Sequence, residues 1–184
     1  MRTARIATLA LLLVLAACDR LEGASGRSEA PPAPVFNHSM GSDLSGYYMP
    51  ASEVRVGKWS FDHVFVGQTA EFQAWEAGAR NGTFGPVMLQ FDDVTSPMVA
   101  TEIGEARSIT ARVLPTAYSV TDTSVSFEGT SPELGMVSFE GVLDPGALAT
   151  SRRNLGNEGV VVTGALTVGN TPARNVQLRW WGGD

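Results

Sequence analysis

Three hydrophobic patterns follow one another along the chain. Ile6 to Ala17 is an apolar run interrupted only by Thr8, and it is preceded by Arg2 and Arg5 with no acid. Positive charge followed by a short apolar stretch predicts a secretory leader over residues 1–17. It is too short for a membrane span, which needs about 20 apolar residues. From Asp19 to about Gly46 there is no period of 2 or 3.6. Gly, Ser, Pro, Ala and charges dominate, with Pro31, Pro32 and Pro34 close together. Such a stretch buries too little apolar surface to offset ordering, so residues 18–50 are expected to form a flexible tether.

Beyond residue 50 the pattern alternates. KWSFDHVFV sets Trp59, Phe61, His63 and Phe65 on one side of a strand, with Asp62 on the other. PVMLQFDDV puts Val87, Leu89 and Phe91 on one face. RSITARVL and AYSVTD meet at Pro115, a residue suited to a bulge or an edge. SVSFEG, GMVSFEGVL, GVVVTGALTVG and NVQLRWW follow, bounded by Gly, Ser and Pro. TAEFQAWEAG is ambiguous between strand and short helix. DPGALATSRRNLG predicts one short helix, with Asp144 as cap, Pro145 in the first turn and Gly156 beyond the end. Seven to nine short strands without a βαβ rhythm predict a single all-β domain over 51–184, a sandwich or a closed barrel. Closure is favoured because it removes exposed edges.

The one cysteine, Cys18, stands at the end of the apolar run, after Leu15-Ala16-Ala17. This resembles the lipobox of bacterial lipoproteins. It implies cleavage before Cys18, attachment of acyl chains to it, and anchoring to a membrane of the cell envelope, facing the periplasm. A chance cysteine beside an ordinary cleavage site lacks the expected A-x-A pattern, and the charge pattern opposes an uncleaved buried helix. Asp19 resembles the inner-membrane retention signal of enterobacterial lipoproteins, but that rule is not general, so inner and outer membrane both stay open. The formal net charge is −6, and losing Arg2 and Arg5 with the leader makes it −8. Such a balance argues against nucleic acid and against adhesion to anionic head groups. Membrane contact is therefore expected through the acyl chains alone.

Little else points to chemistry. There is no GxSxG, HExxH, P-loop or GxGxxG, so neither catalysis nor a cofactor is expected. His63 reads as a core or rim histidine, with a ligand or base role as the alternative. Asp92-Asp93 reads as solvated turn chemistry, without the oxygen spacing of a calcium loop, and no metal is expected. The aromatic load is the remaining signal. Trp59, Phe61, Phe65 and Phe72 are the candidate ligand-contacting residues, and the same side chains would also serve as plain core. Eight-stranded barrels can hold one small apolar ligand.

Two stretches carry a family resemblance. GVVVTGALTVGNTPARNVQL, through Gly164, Leu166, Thr167, Val168 and Gly169, resembles the C-terminal signature of the YceI-like family. FDHVFVGQTAEF resembles an early segment of that family through Phe61, His63, Gly67 and Phe72. The family's serine- and acid-rich middle motif has no counterpart, and DPGALATSRRNLG stands in its place. The resemblance implies a lipocalin-like antiparallel barrel that holds a long apolar chain such as a polyisoprenoid or acyl lipid. The competing expectation is a filled domain that docks on another envelope component, with the protein partner unspecified.

Overall fold

The computed structural model describes residues 35–183 apart from 103 and 157. The expected leader, Cys18 and the proline cluster lie outside the described residues. The first half of the fold contains β1 (Phe36–Ser39), β2 (Gly46–Pro50), β3 (Arg55–Val56), β4 (Trp59–Val66), α1 (Thr69–Glu76) and β5 (Val87–Asp93). A small hairpin of β6 (Met98–Thr101) and β7 (Gly104–Arg107) follows, then β8 (Thr110–Val113) and β9 (Pro115–Thr121). The second half contains β10 (Ser124–Ser131), β11 (Gly135–Leu143), α2 (Pro145–Arg153), β12 (Val160–Val168) and β13 (Thr171–Trp181).

The protein is mostly β, as the alternating pattern predicts. Its main sheet runs β1-β9-β10-β11-β12-β13-β2-β4-β5-β8, with β3 paired to β4. It curls into a half-barrel. Every pairing is antiparallel except β1 with β9. Leu114 alone separates β8 from β9, yet β8 pairs with β5 and β9 with β10. One bent run thus serves two distant parts of the row. Beside Pro115 the register skips Thr116, which is the bulge that the proline predicts.

Among the described residues there are two helices rather than one. In α2 the Asp144 carboxylate accepts the amides of Gly146 and Ala147 at 2.8 and 3.0 Å, the cap read from the sequence. The ambiguous segment is α1, where Glu71 accepts the amide of Gln68 at 2.6 Å. Its Phe72 and Trp75 are buried in the core, which settles a segment whose own apolar stripe is weak.

Residues before the expected boundary at 51 also belong to the folded body. β1 and β2 both lie before that boundary. Phe36 packs edge-on to Tyr118 at 5.3 Å, and Leu44 is buried. Asp122 accepts the amides of Gly41 and Ser42. A polar, glycine-rich stretch reads as tether because its partners are remote: β9 supplies its backbone bonds and the Asp122 turn supplies its anion.

Asp62 is the pivot of β4. Phe61 pairs with Phe91 and His63 with Gln90, so Asp62 is an extra residue opposite β5. Before the bulge Trp59 and Phe61 are buried; after it Val64 and Val66 are. His63 and Phe65 therefore leave the side on which strict alternation puts them. The interior is filled by Phe61, Leu89, Phe91, Phe127, Phe139, Leu166 and Leu178, all nearly inaccessible to solvent.

Asp93, expected in a solvated turn, is buried at 2 % exposure. It accepts Lys58 Nζ at 2.7 Å and the amide and hydroxyl of Thr95 at 2.9 and 2.6 Å. The bonds from Lys58 and Thr95 hold its pKa down to about 2. The unfolded value is about 3.9, so this carboxylate stabilises the fold above that pH. The contribution fades as pH falls toward the folded value. Urea unfolding between about pH 4 and 2 is expected to show a steeper loss of stability in the wild type than in Asp93→Asn. Parallel pH profiles would remove the assignment.

Candidate functional site: an outward-facing aromatic groove

The bulge at Asp62 builds the site. By turning Phe65 and His63 outward, it adds them to the outer side chains of the neighbouring strands. A groove of about 920 Å³ results. Its floor is set by Tyr47 and Met49 of β2, Asp62, His63 and Phe65 of β4, Met88 and Gln90 of β5, and Arg112 of β8. Gly67, Gln68 and Glu71 at the start of α1 form one wall, joined by Phe84, by Trp181 at the end of β13 and by Gly182 and Gly183 after it.

Strand register arranges this floor in two rows. Trp181 is opposite Tyr47, Tyr47 opposite Phe65, and Phe65 opposite Met88, a continuous apolar row across four strands. At about 4.8 Å per strand that row extends roughly 14 Å. Ring centroids stand 5.4 Å apart for Tyr47–Trp181, 5.3 Å for Tyr47–Phe65 and 5.0 Å for Phe65–Phe84. Such spacing suits tilted and edge-on aromatic contact. The second row is polar: His63 is opposite Gln90, and Gln90 opposite Arg112. The two rows are offset by one pleat repeat on the same face.

His63 is a rim residue. Its Nδ1 lies 2.7 Å from Asp62 Oδ2, and its ring meets Tyr47 edge-on at 5.0 Å. Alternation puts Asp62 and His63 on opposite faces; the bulge brings their side chains together instead. Burial raises the pKa of Asp92, the Asp62 carboxylate raises it further, and His63 and Arg107 oppose the rise. Two acids thus flank the polar row, Asp62 on β4 and Asp92 on β5. Arg112, at the β8 end, donates to Thr83 O at 3.1 Å and Gln90 Oε1 at 3.3 Å. Among the described residues, no three His, Cys, Asp or Glu side chains converge as a metal site would require.

Of the four candidate aromatics, only Phe65 lines the groove. Trp59 and Phe61 are buried on the inner face, and Phe72 reaches the core from α1, where it meets Tyr118 at 5.4 Å. The four do not form one wall. Sequence reasoning missed Tyr47, Phe84, Met88, Gln90, Arg112 and Trp181. For Met88, Gln90 and Arg112 a signal existed, since they are the outward alternates to Leu89, Phe91 and Val113. Tyr47 and Trp181 required knowledge that β2 pairs with β13.

No protein-family model, curated protein or solved structure matches this chain.

Proposed function

We propose that this is a lipid-anchored lipoprotein of the bacterial envelope, held by acyl chains on Cys18, that binds a long apolar ligand, isoprenoid or acyl. In this reading the curled sheet closes as a lipocalin-like barrel of β2, β4, β5, β10 to β13 and the bent run β8–β9 counted as one strand. The ligand lies on the barrel's outer face, because the interior is already filled by its own side chains. The protein acts as a carrier or sensor rather than a catalyst. The residues that line the groove offer binding groups, and none is paired as nucleophile with base.

The observation that carries the reading is the unbroken row Trp181–Tyr47–Phe65–Met88 in a concave site. Its volume is that of a small-molecule site, for which about 300–1,000 Å³ is usual. A protein partner needs about 800 Å² of its own contact surface. An apolar chain needs only a narrow strip with polar flanks, and that is the form of this groove.

Native mass spectrometry of the protein extracted gently from cells tests the proposal. The wild type is expected to carry acyl mass on Cys18 and, separately, a co-purified lipid. Cys18→Ser should lose the first, and Phe65→Asp only the second. The outward, half-buried position of Phe65 lets Phe65→Asp fold, which circular dichroism checks. A folded wild type with an empty groove would favour docking on another envelope component instead.

A further inference from the structure

We infer that the groove selects amphiphiles with an anionic head, a carboxylate or a phosphate, and that Arg112 is the group that reads the head. This deepens the apolar-ligand reading and rests on it. The acids of the groove are already engaged. Asp62 is bonded to His63, and Glu71 accepts the Gln68 amide at the N-terminus of α1. Arg112 differs: both of its recorded bonds go to neutral oxygens, and no carboxylate lies within ion-pair distance of it among the described residues.

Position agrees with charge. Arg112 is opposite Gln90, whose neighbour Met88 ends the apolar row. A chain laid along Trp181, Tyr47, Phe65 and Met88 therefore brings its β5 end beside a guanidinium. That group's planar fork matches the two oxygens of a carboxylate or phosphate. The Thr83 and Gln90 bonds hold the fork in place without neutralising it.

The test is calorimetric titration of the full mature chain, residues 19–184 without its acyl group, in low salt. The probes are dodecanoate, dodecyl phosphate and uncharged monododecanoylglycerol, each below its micelle threshold. The wild type is expected to bind at least one anionic probe about tenfold more tightly than the uncharged one, the scale of a charged hydrogen bond on an open surface. Dodecanoate alone would indicate a fatty acid, and dodecyl phosphate alone a phospholipid-type head. Arg112→Gln should remove the preference by lowering affinity for the anionic probe about tenfold, while Arg112→Lys should retain part of it. Equal affinity of all three probes for the wild type, or a preference that survives in Arg112→Gln, would overturn the inference while leaving the apolar-ligand reading intact. No binding of any probe would overturn both.

Discussion

Replacing Phe127 with alanine should lower the unfolding free energy by about 3–5 kcal/mol, the usual cost of removing a fully buried phenyl ring. The ring is inaccessible to solvent and lies on β10 between two aromatic neighbours, opposite Phe139 on β11 and Tyr118 on β9. Its rim passes over Gly129, where an added Cβ would approach it to 2.7 Å. Phe139 sits in the same way against Gly141. These rings fill space that a small-ligand barrel would leave open, so the truncation leaves a cavity that close-packed neighbours do not collapse into. Urea unfolding of the purified protein measures the change. A loss below about 1 kcal/mol would mean that the interior is loosely filled. An internal ligand site would then be the better reading. The same variant should retain groove binding in its folded fraction, because Phe127 faces away from Phe65 and Tyr47.

How much of this was legible in the residues follows from the range of each signal. Local signals were readable. Alternation in PVMLQFDDV gives β5 and its buried face, and Asp144-Pro145 gives the start of α2. Pro115 marks the bulge where β8 passes into β9. Signals that depend on a partner were not. Nothing in FDHVFV says that Asp62 is an extra residue, because a bulge is defined by what the opposite strand does. Nothing in FNHS says strand, since β1 exists by pairing with β9 and by the His38–Glu76 contact at 2.8 Å. The groove depends on both kinds of hidden information. Phe65 enters it through the bulge, and Tyr47 meets Trp181 through the pairing of β2 with β13. An aromatic count marked the chain as rich in rings but could not sort inward from outward. The sorting places Trp59, Phe61 and Phe72 in the core and leaves Phe65 on the groove.

Gly164→Ala is expected to destabilise the fold by about 2 kcal/mol or more, although it adds a single methyl group. Gly164 is one of the residues behind the resemblance to the YceI-like signature, and its physical task is close backbone approach. It faces Gly141 across β11 and β12. A Cβ there would lie 2.9 Å from Gly141 Cα and closer still to the carbonyl oxygen of Glu140. Both obstacles are backbone, so no rotamer change relieves them. On its other side β12 meets β13 with a register skip between Gly164 and Leu166, close to Asn175, which has a left-handed φ of 58°. The strand is thus pressed against one neighbour where it bends against the other, and a displaced β12 would disturb both ladders. Gly82→Ala is the matched control, because a Cβ at Gly82 meets nothing within 4 Å. It should change stability by less than about 0.5 kcal/mol. Urea midpoints of the two variants decide the matter. If Gly164→Ala unfolds with the wild type, the glycine is dispensable to the β11–β12 contact. If it alone falls, Gly164 is explained by packing, with no ligand required.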